Sequence, residues 1–473
     1  MPHTQPEHSD NHRNDDDDAP HVVVENHASH RQPQGTIASS VINITNTILG
    51  SGMLAMPSAV SRVGLLLGVL IILFSAFASG FGLLLLSICA AKLGGRQSSF
   101  FSIASVTYPS AAIYFDFAIA IKCFGVSISY LVITGSLMPK VVDGFFPLLD
   151  SASAWRTKEL WIVIGLLIVT PFCFAKRLDS LRYTSALALG AVVYLLFIVI
   201  YYALSPSPEM PPKIPWGDIR WANLDLSFWK TLPIFVFAFT CHQNIFAVYN
   251  EIRDNTIGRM SKVIVASIGT SFTVYELIGV IGYITFGNNV SDNVISMYPP
   301  GNTVTGGQLA IAILVLLSYP LQCHPCRNSL EKVLSHYQKR RHVEREGQGA
   351  IEPEHISPLL PAGSAEQGAS PRRQFEIDAR LLTVGIIIST LVIALVVHDL
   401  STVLAFVGAT GSTTICYILP GLFYYRLRQV MDRPDEATKW DIMKVGAVAL
   451  AGWGMFVMVL SLSLQISGAG GGH

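Results

Sequence analysis

Apolar residues gather along this chain in long runs rather than in period-two alternation. About eleven of these runs are long enough to cross a bilayer core, which takes roughly 20 helical residues. They cover approximately 37–56, 64–90, 111–138, 160–174, 184–204, 229–249, 263–286, 307–323, 381–397, 401–424 and 442–466. The fourth is short, and the tenth contains the polar stretch GATGSTT. The first contradicts itself: NITNTILGSGMLAM, at 43–56, places Asn43, Thr45, Asn46, Thr47 and Ser51 inside a spanning helix and then weakens it with Gly50 and Gly52.

The spacing of the runs carries a second pattern. The first begins near 37 and the sixth near 229, the third near 111 and the eighth near 307, so both offsets are about 190–195 residues. Spans one to five thus match six to ten. Because five is odd, the second copy enters from the opposite side, an inverted repeat of the kind that builds secondary transporters. In that architecture a helix broken at mid-depth is tolerated where its freed backbone groups line a cavity or bind a ligand. The sixth run supplies the partner of the first, since FAFTCHQNIFAVYNE at 237–251 sets Thr240, Cys241, His242, Gln243 and Asn244 together inside an apolar stretch. The opposing reading, close helix packing through small residues, accounts for Gly50 and Gly52 alone but not for the coincidence of two interruptions.

Composition agrees. The 473 residues are 51% hydrophobic and only 14% charged, with a mean hydropathy of +0.46, against about 25% charged in soluble domains. The formal net charge is zero, which gives no bias toward nucleic acid. Lys and Arg recur in alternate loops (Lys92 and Arg96; Lys176, Arg177 and Arg182; Arg253, Arg259 and Lys262; Lys332, Lys339, Arg340 and Arg341; Arg426, Arg428, Arg433 and Lys439), which predicts that these face the cytosol. The loop at 140–159, with Lys140, Arg156 and Lys158, runs against that trend. The N-terminus is then expected in the cytosol and the C-terminus in the lumen. Residues 1–35, rich in His and Asp and without an apolar signal segment, are expected to be a disordered cytosolic tail, with metal binding or regulation as the lesser reading. Residues 36–467 form the expected transmembrane domain, with a cytosolic helical extension and flexible linker inserted at 327–378, and 468–473 a short lumenal tail.

Candidate chemistry sits at the two interruptions. A zwitterionic substrate needs N–H donors for its carboxylate, which the amides around Gly50, Ser51 and Gly52 offer at a half-helix N-terminus. Its ammonium needs acceptors, which carbonyls near Phe239, Thr240 and Cys241 can provide. Lys122 and Glu276 fall near mid-depth of spans three and seven. Charges there are costly unless paired or hydrated, so an ion pair between them is one expectation and a role in coupling or gating the other. His242 borders the second interruption and is either a packing histidine or a proton carrier. The CHPC motif at 323–326 lacks the context for redox chemistry and the ligands for zinc. Asn289 opens a sequon too close to a span for ready glycosylation. No phosphate-binding loop or catalytic constellation is present. An enzyme, a resident cofactor and direct use of ATP are therefore not expected.

Three motifs together resemble a known family. INITNTILGSGMLAMPSAVSRVG is similar to the first helix of the amino acid/auxin permease family, including sodium-coupled neutral amino acid transporters and vacuolar amino acid exporters. FTCHQNIFAVYNEI and SYPLQCHPCRNSLEKVL resemble the vacuolar exporters more closely. The resemblance covers about 35–467 and implies an all-α polytopic membrane protein with eleven transmembrane helices, a leucine-transporter-like 5+5 inverted repeat plus one helix. It would carry amino acids by alternating access, across a vacuolar or lysosomal membrane in the favoured reading, with the plasma membrane as the alternative. It further implies a substrate site at Asn46, Leu49, Gly50, Ser51, Gly52, Phe239, Thr240 and Cys241. Asn46 falls where sodium-coupled members place an ion ligand, and Ser318 where they place a Thr, whose β-methyl fixes its rotamer. The coupling ion is thus H+ or Na+, with protons favoured and His242, then Glu276, as carriers, and Lys122 in the coupling set. All seven cysteines lie in spans or at their ends, so no lumenal disulfide is expected. A second function in the same fold is an amino-acid sensor signalling through its cytosolic segments. The expected partners are the amino acid substrate and the bilayer, with no nucleic acid, and nothing fixes the oligomeric state.

Overall fold

The structure, a computed structural model, describes residues 35–349, 379–432 and 441–469, apart from short gaps at 151, 175–180, 212–214, 216–217 and 398. The tail, most of the linker at 327–378 and the last four residues lie outside these. The described chain is helical throughout, and an isolated parallel bridge pairs Gly35 with Ile252.

Helix α1 (Ile37–Ile48) opens on a capping box in which Thr36 and Ser39 satisfy each other's amides, removing two orphan N-terminal donors. It stops at Leu49. After the bend through Gly50 and Ser51, α2 (Gly52–Val63) sets off at 54° to it, so the pair forms one broken span. Helices α3 (Leu65–Leu93), α4 (Phe100–Thr107), α5 (Ala112–Phe145), α6 (Lys158–Cys173) and α7 (Leu181–Leu204) follow. The sixth span is again broken, into α8 (Leu226–Ala238) and α9 (Ile245–Glu251), joined by a 3-10 turn at His242–Asn244. Then come α10 (Ile257–Phe286), α11 (Asn302–Gly349) and α12 (Ala379–Val396). The tenth span runs as α13 (Leu400–Val407), two π turns over Gly408–Ser412 and Thr414–Ile418, and α14 (Leu419–Met431). Helix α15 (Ile442–Ala469) is last.

Nine described helices are long and apolar enough to span a membrane, and the bent α1–α2 pair makes ten. Helix α6, the short fourth run, has 16 residues, about 24 Å at 1.5 Å per residue, short of a core of about 30 Å. The polar GATGSTT did not end the tenth helix but widened it into π turns. Phe77, Leu167, Val265 and Val396 face outward, as side chains do that meet lipid tails. After span eight, α11 runs without a break to Gly349.

Packing makes the site central. Helix α10 lies against α1, α2 and α3; α2 packs on α8; and α5 runs along α11 while also touching α13. Both ends of the bundle are tied. At the basic end Arg96 donates to the carbonyls of Asn250 (3.1 Å), Ile252 (2.6 Å) and Arg253, and Asp432 pairs with both Lys92 and Arg428. At the opposite end Asp292 accepts from Ser58 (2.5 Å) and Arg62 (2.9 Å).

Candidate functional site

The two interruptions lie face to face. Ile48 ends α1 and Ala238 ends α8, and their carbonyls converge on the Tyr275 hydroxyl of α10, at 2.6 and 2.9 Å. No glycine or proline breaks the sixth span at Phe239–Cys241. Other helices hold it open instead: Tyr275 takes the Ala238 carbonyl, the Ser79 hydroxyl donates to that of Phe239 (2.8 Å), and Asn244 N–H closes on that of Cys241 (2.9 Å). Thr240 turns its hydroxyl back onto Val236 and receives a bond from the Cys416 thiol. Its side chain is thereby committed to the break.

On the α1–α2 side, Gly50 N–H folds onto the Ile48 carbonyl (2.8 Å) and Met53 N–H reaches Gly50 at 3.3 Å. Ser51 and Gly52 begin α2, whose first-turn amides lack intrahelical partners by construction. Leu49, Ser51 and Gly52 are buried and Gly50 half-buried. A Cβ on Gly52 would stand 3.0 Å from the Ala238 Cα, so glycine is what lets the broken spans touch, whereas one on Gly50 would meet only the Tyr130 hydroxyl, at 3.5 Å. Helix α5 forms the remaining wall. Ser129 donates to Ser51 (3.1 Å), and Tyr130 is a hydrogen-bond partner of Gln322, which also accepts from the Lys122 ammonium (3.3 Å).

Asn46 and Ser318, far apart in sequence, line one small cavity with Leu187, Ala188, Leu314, Leu317 and Leu321. Its volume is about 10 Å³, at the lower limit for one water-sized occupant. The Ser318 hydroxyl bonds to the Leu314 carbonyl of its own helix. Asn244 ties the sixth span to the first by donating to Thr47 at 2.8 Å.

The profile of the family described as transmembrane amino acid transporter protein matches residues 33–464. The chain belongs to that family. Among its relatives is vacuolar amino acid transporter 5 of Schizosaccharomyces pombe, 40% identical over 91% of this chain and 94% of that one. Vacuolar amino acid transporter 6 of Saccharomyces cerevisiae is 34% identical over 91% and 99%. Vacuolar amino acid transporter 5 of the same yeast is 35% identical over 90% and 97%. Membership accounts for the polytopic helical fold and places the paired interruptions within a family of amino acid carriers.

Within this family member, the ionisable residues separate. The expected Lys122–Glu276 ion pair is not formed: the Lys122 ammonium bonds to Gln322 between α5 and α11, while Glu276 sits on α10 with its Oε1 buried and without a hydrogen-bond partner. Sequence position fixes depth in the membrane but not the direction a helix face points, and these two faces turn apart. His242 is fully buried; its Nε2 packs toward Gly82 of α3 beside the Cys416 carbonyl. Thus the imidazole backs the interruption. Tyr275, Tyr130, Ser129 and Gln322 escaped the sequence reading. The polar run of α5 (Ser127, Ser129, Tyr130) was the available signal for two of them.

Proposed function

We propose that the chain is a secondary active transporter that moves amino acids across the vacuolar membrane by alternating access. The carrying observation is the convergence of the Ile48 and Ala238 carbonyls, one from each broken span, on a point both can share. Two acceptors so placed suit an ammonium, while the first-turn amides of α2 suit a carboxylate. Neither contact reads a substrate side chain, so the pocket's choice among amino acids rests with residues such as Tyr130 and Lys122 on the facing wall. The vacuolar membrane is inferred from the names of the relatives above, and the N-terminus on the cytosolic side from the basic loops.

The coupling ion in this reading is the proton. The Asn46–Ser318 cavity has two polar residues among five aliphatic neighbours, a lean lining for a hard cation. Glu276, with a buried oxygen that has no partner, is the stronger carrier by geometry, and His242 the second. An acidic lumen would then drive substrate toward the cytosol. Purified protein in liposomes tests all of this: uptake of a radiolabelled amino acid mixture is expected under an imposed pH gradient without sodium. Uptake that needs sodium and ignores pH refutes proton coupling, and binding without flux favours a sensor over a carrier.

A further inference from the structure

The Tyr275 hydroxyl has one hydrogen and two acceptors within reach, Ile48 at 2.6 Å and Ala238 at 2.9 Å. It can serve one carbonyl fully at a time, so the other is left to share. Burial makes that sharing costly, because no water reaches a side chain that is fully enclosed. The ring is held edge-on to Phe239, centroids 5.1 Å apart, and the hydroxyl would lie 3.6 Å from a Cβ on Gly52. Three of the residues that make the two interruptions, Ile48, Gly52 and Ala238, therefore surround a single phenol oxygen.

An ammonium differs from a phenol in carrying three N–H donors and a full charge, so it satisfies both carbonyls at once and with stronger bonds. We propose that Tyr275 is the placeholder of the empty carrier: its hydroxyl occupies the subsite of the substrate's ammonium, holds the two broken spans together when no amino acid is bound, and yields to the amino group on loading. The inference rests on the transporter reading above. Tyr275 is a positioning residue in this account, and its effect falls on the one step at which the site must change sides without substrate.

That step separates two measurable fluxes. Net uptake needs the empty carrier to return, whereas exchange of internal for external amino acid does not. Wild type and Tyr275→Phe are compared in liposomes, with a radiolabelled amino acid mixture outside and either buffer or the unlabelled mixture inside. Leaving both carbonyls without the phenol should lower net uptake about tenfold more than exchange, with half-saturation shifted to lower concentration because a competitor has been removed. Equal loss of both fluxes means a structural role and overturns the proposal, as does no change in either. Wild type that shows neither flux refutes the transporter reading instead. Should Tyr275→Phe fail to yield monodisperse protein, 3-fluorotyrosine at position 275 keeps the ring and strengthens the donor. Half-saturation should then rise, and a fall or no change overturns the proposal.

Discussion

A Cβ added to Gly52 would stand 3.0 Å from the Cα of Ala238 and 3.1 Å from its Cβ, so the first and sixth spans touch there through a position that has no room for a side chain. Backbone cannot move aside as a flexible side chain can. Gly52→Val is expected to cut uptake at least about tenfold in protein that still inserts, because the two spans must separate by the width of a methyl group or more. Gly50→Ala, which meets only the Tyr130 hydroxyl at 3.5 Å, should cost less than Gly52→Ala. Transport assays on correctly localised protein decide it, and normal uptake by Gly52→Val would remove the interface from the site.

Proton coupling assigns Glu276 a specific signature. Glu276→Gln keeps the shape of the side chain but cannot release a proton at any physiological pH, so uptake should lose its dependence on the pH gradient while exchange continues. His242→Ala should change stability more than coupling, because the imidazole is packed against Gly82 rather than turned into the site. Persistent pH dependence in Glu276→Gln together with its loss in His242→Ala reverses the assignment.

Sodium should be dispensable. Replacing Ser318 with Ala takes one of the two polar residues from the Asn46 cavity while sparing the proton path, so flux under a pH gradient is expected to fall by less than about threefold, the scale of one neutral hydrogen bond. A sodium-stimulated rate in wild type that vanishes in Ser318→Ala would show that the cavity holds the ion after all.

The end of the bundle that carries Asp292 should respond to acid. Burial, and then a hydrogen bond with Asp399, push the Asp292 carboxyl above the usual aspartate range, against the opposing pull of Ser58 and Arg62. Burial alone would raise Asp399 too, but hydrogen bonds from Asp292, Thr402 and Ser401 hold it at about 2. A proton bound more tightly by the folded protein stabilises it at low pH and is lost as pH rises through the raised value. The Asp399 contribution runs the other way, disappearing only below about pH 3.9. Relative to Asp292→Asn, purified wild type should lose melting temperature as pH rises above about 3.9. A melting temperature that rises with pH relative to that of Asp292→Asn contradicts the assignment.

The extent to which all this could be read in advance follows from where each determinant lies. The interruption at Gly50–Gly52 is local chemistry, two weak helix formers amid side chains that compete for backbone bonds, and it is where the bend occurs. Asn46 and Ser318 were joined by resemblance, and they share a cavity. The break after Ala238 was marked by polarity, yet its atoms differ from those expected: the Phe239 and Cys241 carbonyls are already engaged, and Ala238 supplies the one that faces the first span. What determines that choice is the hydroxyls of Ser79 and Tyr275, on other helices at distances no local pattern encodes. The same applies to Lys122 and Glu276, whose depth was legible and whose azimuth was not.

All seven thiols, at 89, 123, 173, 241, 323, 326 and 416, are free and buried, and thiols so placed react slowly with aqueous reagents. The protein is thus close to a cysteine-less background without any engineering. A single cysteine introduced on a loop of either face would take a maleimide dye or spin label against little competing signal. Pairs placed across the Arg62–Asp292 tie and across the Arg96 clamp would let single-molecule ranging follow, in the native sequence context, which face opens and when.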